Sequence, residues 1–427
     1  MSFERLPGFR DIQIAEGVRL SYCRTEDFKS SLMTVSFVAP LDKETASGYS
    51  LLTNMLSLAT AGYKTMRDFS TAKDELYALG LDSYVQRRGE LLLVTLELSC
   101  IADEYTLDGE KLLYKATALL GEAIFSPLLD KDGNFPQSAV ESEKVNLINE
   151  INSIIENKQA YAVKRAKELL CPDEPFSVDA AGSAEAVEKL TGADLRRYYD
   201  KCVNELPVII TYAGSANEEY LRQCVNDHLR FSPRTCKPVP PVTHRFGGLK
   251  KIDERLDMEE RILVLGFECG LPANIYDRAV LSVFDEIYGG SSTSKLFMNV
   301  REKKGLCYYC SSYPSGRKNL FFVVSAVERD SAGQAADAII KETDAMRRGD
   351  FSDGELDQAK KSVIRSLKTM GSGLASLTGY MLGQALLGTE DTFGSIEKNI
   401  NAIESVTRGD VSALAQKFKL ELIYTLG

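Results

Sequence analysis

Residues 289–309 read Gly-Gly-Ser-Ser-Thr-Ser-Lys-Leu-Phe-Met-Asn-Val-Arg-Glu-Lys-Lys-Gly-Leu-Cys-Tyr-Tyr. The string predicts a short helix, a stop and a strand. Ser291 or Ser292 can cap the helix, Leu296, Phe297 and Val300 supply its apolar face, and Gly305 ends it in the left-handed conformation. Leu306 then opens the strand. Arg301 therefore falls in the last helical turn and Tyr308 on the outgoing strand, where a guanidinium and a phenol can be aimed at one carbonyl oxygen. The spacing alone is also met by an Arg paired with a carboxylate next to a half-buried strand Tyr, so the rest of the chain has to decide. Cys307 and Cys310 are the only closely spaced cysteines. On a regular strand positions three apart face opposite ways, which argues against a joint metal or redox role.

Working outward, the same element order occurs twice. Residues 32–38 read as a strand, 51–58 as a helix, 71–79 as a second helix and 91–98 as a strand. In the second half 262–267 is a strand, 276–287 a helix, 294–302 a second helix, and 320–327 a strand that follows the Tyr308 strand. Long helices close each half, over 140–170 and 353–387, and the first half adds a late strand over 208–212. Between them, residues 232–251 carry Pro233, Pro238, Pro240, Pro241, Gly247 and Gly248, the composition of an extended linker. The predicted class is α+β, with homologous halves 1–231 and 252–427. Each half is expected to be a mostly antiparallel sheet with helices packed on one face, the two facing one another like a clamshell.

The chain has 427 residues, 44% hydrophobic and 26% charged, enough apolar material for more than one core. Its 61 acidic against 51 basic side chains give a formal charge of -10, which argues against a nucleic-acid surface. The start, Met-Ser-Phe-Glu-Arg, lacks a signal-like layout, and apolar runs such as Leu320 to Val324 are too short to span a bilayer, so a cytoplasmic location without a membrane is expected. Nine scattered cysteines suit reduced, packed thiols. Gly289-Gly290-Ser291-Ser292 lacks the Gly-Lys-Ser/Thr that a phosphate loop requires.

The duplicated layout, the Pro-rich linker and the Arg/Tyr string together resemble, over nearly the whole chain, the insulinase- and pitrilysin-type zinc peptidases and the mitochondrial processing peptidases. Active members carry His-x-x-Glu-His on the first long helix, with two imidazoles on zinc and the Glu activating its water. The matching stretch here is Glu44-Thr-Ala-Ser-Gly-Tyr-Ser-Leu-Leu-Thr-Asn-Met-Leu56, which sets Ser50 and Asn54 at the ligand positions and Thr53 at the general-base position. Hydroxyls and an amide replace neither function. The whole chain holds only two histidines, His228 and His244, and they match no ligand spacing with a Glu. Ser50, Thr53, Asn54 and Ser57 share one helical face, which reads as a solvated or partner-facing stripe.

Glu143 and Glu150 match the family's later carboxylate motif, two helical turns apart, and by themselves read as exposed helix glutamates. Arg301 and Tyr308 match the family's Arg/Tyr pair, which in active relatives donates hydrogen bonds to the substrate carbonyl. The resemblance thus implies a chain without zinc at Ser50, Asn54 and Glu150 and inactive alone. Its Arg301 and Tyr308 would clamp a peptide in trans for a homologous subunit that carries His-x-x-Glu-His and the zinc. The alternative it implies is an inactive homologue acting as a scaffold or peptide-binding protein. A homodimer is compatible with either.

Overall fold

The structure is a computed structural model describing residues 8–235, 242–315, 317–387 and 396–427. The start of the chain and linker residues 236–241, with Pro238, Pro240 and Pro241, lie outside the described residues. The chain divides into two compact units.

The first unit comprises Met1–Asn152, Val178–Val239 and Met370–Leu387. Its sheet is built from β1 (Phe9–Ala15), β2 (Val18–Arg24), β3 (Ser30–Pro40), β4 (Gly80–Arg88), β5 (Leu91–Ile101) and β6 (Val208–Gly214), in the order β1-β2-β6-β3-β5-β4. Every neighbouring pair is antiparallel except β2 with β6. Alternation along β3 sends Met33, Val35, Phe37 and Ala39 to a core shared with Leu51, Leu52 and Leu56 of the helix Ala46–Leu56. Thr34 and Ser36 point the other way. There Thr34 shares a hydrogen bond with Thr211 at 2.8 Å and Ser36 with Thr95 at 2.9 Å, so the hydroxyls on this buried second face satisfy one another. The helix Leu374–Leu387 covers that face, with Leu377, Met381 and Leu382 packed on Cys23, Ala213, Leu93 and Ile209.

The second unit comprises Ser153–Ser177, Pro240–Thr369 and Gly388–Gly427. Its strands are β7 (Lys250–Glu254), β8 (Glu260–Glu268), β9 (Cys307–Pro314), β10 (Leu320–Glu328) and β11 (Lys419–Leu426), in the order β7-β11-β8-β10-β9. Only β7 and β11 run parallel. This sheet repeats β2-β6-β3-β5-β4 strand for strand and in pairing sense, so the duplication extends to a late strand in each half. The sequence reading assigned that strand only to the first half. Phe321, Val323 and Val327 of β10 enter one core with the helix Ile275–Tyr288, while Leu320, Phe322, Val324 and Ala326 enter another with Ala162, Ala166 and Leu170 of the helix Lys158–Leu170. Gly266 makes room for that helix: a Cβ there would lie 2.5 Å from Leu170 Cδ1.

Residues 153–177 thus pack with the second sheet and 370–387 with the first, each opposite to its position in the sequence halves 1–231 and 252–427. The cause lies in the central strands. Leu-Phe-Phe-Val-Val has no polar side to leave in water, so the second face of the sheet needs its own helix. Among the described residues no helix is long and apolar enough to cross a membrane. Met381 is 1% exposed within this second-face layer. Met381→Ala is expected to destabilise the protein by about 2–5 kcal/mol, read as a lower urea midpoint, whereas an unchanged midpoint would mean that the helix does not pack there.

Candidate functional site

Two places carry the residues singled out by the sequence. The first is the helix Ala46–Leu56. Ser50 and Thr53 are buried in the structure, which corrects the expectation of a solvated stripe. The face is covered by β4: the Ser83 hydroxyl donates to the Thr53 carbonyl at 2.5 Å, and Thr53 Oγ1 donates to the Ser50 carbonyl at 2.6 Å. Ser57 Oγ donates likewise to the Asn54 carbonyl at 3.1 Å. These hydroxyls are taken up by backbone within the fold.

Asn54 is half-buried and meets a carboxylate, that of Glu143 on the helix Gln137–Ser153, with Nδ2 donating to Oε2 at 3.3 Å. The other oxygen of Glu143 accepts from Asn146 Nδ2 at 3.1 Å. Glu150, two turns further along, is exposed. The structure therefore brings Asn54 and Glu143 together as amide donor and carboxylate acceptor. Zinc does not fit this set, because an amide nitrogen that donates has no lone pair for a metal and Ser50 and Thr53 offer neither imidazole nor carboxylate.

The second place is the quoted stretch. Its helix is a π-helical turn, Leu296–Glu302, with Leu296 and Val300 buried. The cap is Ser294, whose hydroxyl accepts from the Phe297 N–H at 3.4 Å, rather than Ser291 or Ser292. Gly305 ends the turn as expected, at φ +62° and with its N–H on the Arg301 carbonyl at 2.9 Å. The wide π turn lays the Arg301 guanidinium on the Phe297 ring, 4.5 Å from the centroid. β9 then bulges. Cys307 pairs with Val327 and Tyr309 with Ala326, leaving Tyr308 outside the ladder. Its freed carbonyl accepts from Arg301 Nε at 2.7 Å, and Arg301 Nη1 pairs with Glu302 at 2.9 Å. The Tyr308 side chain is 54% exposed on an edge strand. Arg301 is thus tied to the main-chain carbonyl of Tyr308, not to its phenol, by a bond that the sequence could not specify.

Behind this stretch lies a group that no spacing or motif singles out. Asp285, near the end of the helix Ile275–Tyr288, accepts from the Ser312 hydroxyl at 2.5 Å, and its own carbonyl accepts from Gly289 N and Gly290 N at 2.9 and 2.7 Å. Gly289 is needed for space, since a Cβ would lie 2.5 Å from Ser312 Oγ and 2.8 Å from Leu296. Burial pushes the Asp285 carboxyl up to about 7, against the opposing Ser312 hydrogen bond.

The histidines lie in different units. His228 packs edge-on against Tyr114, with ring centroids 4.4 Å apart, and burial lowers its pKa. His244 sits in a buried knot: Nδ1 faces Glu174 Oε1 at 2.7 Å and Cys171 Sγ at 3.5 Å, and Nε2 faces Glu421 Oε2 at 2.9 Å. Lys318 binds the other oxygen of Glu174 and the Val242 carbonyl, Gly247 N donates to Glu421 Oε1 at 2.8 Å, and Asn319 exchanges two hydrogen bonds with the His244 backbone. Cys171, Glu174 and His244 are the one metal-ligand-like grouping among the described residues. Both oxygens of Glu174 and both nitrogens of His244 already have protein partners, so the knot is a closed network that ties residues 242–247 to the second sheet.

Residues 189–363 match the family described as Peptidase M16 inactive domain. Over 96% of both chains the sequence is 28% identical to the probable inactive metalloprotease YmfF of Bacillus subtilis (strain 168). The crystal structure of a conserved protein from Enterococcus faecalis V583 superposes with a TM-score of 0.88 at 26% identity, covering 98% of each chain. That of a peptidase M16 inactive domain from Pseudomonas fluorescens does so with a TM-score of 0.79 over 98% of each chain, at 16% identity, which speaks to the fold alone.

The raised pKa of Asp285 has a definite sign. The folded state favours the neutral acid, so its contribution to stability is fully present below the ordinary 3.8 and is lost as pH rises through about 7. Asp285→Asn keeps an acceptor for Ser312 and removes the titration. The variant is expected to melt close to wild type at about pH 4 and above it at about pH 8, by on the order of 2–4 kcal/mol at most. Parallel melting curves at both pH values would show that Asp285 is not held neutral.

Proposed function

We propose that this chain, similar over residues 189–363 to the Peptidase M16 inactive domain and without His-x-x-Glu-His, is an inactive peptidase homologue that holds an extended peptide without cutting it. The observation that carries this reading is the contrast between the two places. At the first, the positions that need imidazoles hold Ser50, which is buried, and Asn54, whose amide donates to Glu143. At the second, Arg301 ends a π-helical turn and Tyr308 follows on an edge strand, tied together through the Tyr308 carbonyl.

An edge strand can pair its free backbone side with an added peptide strand, which supplies affinity independent of sequence. Tyr308 stands at such an edge with its phenol exposed. Arg301 is held in place by Nε on the Tyr308 carbonyl and by the Phe297 ring beneath it. A braced guanidinium loses less side-chain entropy on accepting a ligand oxygen. Glu143 serves in this reading as a partner of Asn54, and Glu150 as a surface carboxylate.

The same exposed Tyr308 favours a second reading. As a non-catalytic subunit, the chain would offer Arg301 and Tyr308 to a homologous partner that carries His-x-x-Glu-His and binds the zinc, and the pair would then stabilise the oxyanion that forms on the partner's substrate. The two readings separate on mixing with such a homologue: the subunit reading requires a rise in the partner's kcat, and the holding reading requires none.

Dialysed protein is expected to retain no stoichiometric zinc by elemental analysis. One zinc per chain, lost on Glu150→Gln, would overturn the inactive reading. The protein alone is expected to bind labelled extended peptides in fluorescence polarisation without cleaving them. Arg301→Ala and Tyr308→Phe should each weaken capture by about 3- to 100-fold, the range for one charged or neutral hydrogen bond. Equal capture by wild type and the double variant would remove Arg301 and Tyr308 from the site.

A further inference from the structure

The bulge at Tyr308 has a second effect. In an unbroken strand Cys307 and Cys310 would face opposite sides of the sheet. Because Tyr308 is skipped in the pairing with β10, the parity shifts by one: Cys307 stands opposite Val327 and Cys310 opposite Ser325, and both sulfurs reach the same face. Both pack with the same helix-covered core, and both are reduced. This removes the premise of the argument from spacing, that the two positions face opposite ways.

The surroundings treat the two thiols differently. A hydrogen bond from Cys310 is the largest influence on Cys307; burial opposes it, and the Ser325 hydroxyl and the Arg301 guanidinium reinforce it, so the Cys307 thiol is held down at about 7. Cys310 is pushed up, first by the same hydrogen bond and then by burial. Cys23, Cys100, Cys202, Cys224 and Cys269 are all buried and pushed up by burial. Cys307 is half-buried. It is thus the described thiol that combines access with thiolate character, and it has a neighbouring thiol within hydrogen-bonding reach.

We propose that Cys307 and Cys310 form a peroxide-responsive dithiol, with Cys307 as the attacking thiol and Cys310 as the resolving one. The Cys307 thiolate attacks one oxygen of a hydroperoxide, ROOH; the S–O bond forms, the O–O bond breaks, and the leaving alkoxide takes a proton to become ROH. Cys310 then attacks the Cys307 sulfenic sulfur; the S–S bond forms, the S–O bond breaks, and hydroxide leaves as water with the Cys310 proton. The two thiols give up two electrons and the hydroperoxide accepts them.

The full chain, treated with a small excess of hydrogen peroxide and then alkylated, tests this by intact mass and peptide mapping. The expected product has lost two hydrogen atoms, both from the peptide that contains Cys307 and Cys310. At neutral pH the reduced protein should also alkylate at Cys307 about tenfold faster than at any other described thiol. Cys310→Ser should stop at the sulfenic acid on Cys307, trapped by dimedone. A wild-type protein whose Cys307 and Cys310 both remain alkylatable after peroxide has consumed other thiols overturns the proposal, and that result depends on no variant folding.

Discussion

The inner strands β5 and β10, each next to an edge strand, bury both of their faces, and much of the remaining fold follows from that constraint. A strand with water on one side can alternate apolar and polar residues; Leu320 to Val324 and Leu91 to Val94 cannot, so each sheet needs a layer of helices on one face and a further helix on the other. In the second unit the further helix is Lys158–Leu170, in the first Leu374–Leu387. The first sheet shows that apolarity is not the whole requirement. Its second face carries Thr34, Ser36, Thr95 and Thr211, which become buriable because they pair hydroxyl to hydroxyl.

The same need for partners governs the helix Ala46–Leu56. A metal site requires lone pairs left free of other donors, pointed into one volume. In the helix Ala46–Leu56 the Thr53 hydroxyl instead turns to the Ser50 carbonyl and the one amide, Asn54, to Glu143, and just past the helix Ser57 turns to the Asn54 carbonyl. At Tyr308 the opposite holds: a bulge withdraws one carbonyl from the ladder, Arg301 takes it up, and a phenol is left facing solvent on an edge.

Buried charge in the second unit is managed by a network. Lys318 faces Glu174 where an unpaired ion would cost on the order of several kcal/mol, and His244 is hydrogen-bonded to both Glu174 and Glu421. These residues come from four separate stretches of sequence, so the network can form only when residues 242–247, the β9–β10 connection, the start of β11 and the segment after the helix Lys158–Leu170 are all in place. It fixes one end of the Pro-rich linker, whose residues 236–241 are outside the described set.

Periodicity and punctuation alone determined the α+β class, the repeated order of strands and helices, the stop at Gly305 and the absence of the zinc motif. These are local or compositional facts: a left-handed glycine, an alternating run, or a histidine count is legible without neighbours. Tertiary structure decided the rest. That Ser50 and Thr53 are buried depends on β4 crossing their face, and a helical wheel shows which residues share a face but not what covers it. That the helices around residues 160 and 380 join the sheets opposite to their sequence halves depends on which sheet has an uncovered face. That Cys307 and Cys310 lie side by side depends on one residue being skipped in the ladder that pairs them with Val327 and Ser325 of the next strand. Each of these is a pairing between segments, and sequence spacing fixes which way a side chain points only while the element that carries it stays regular.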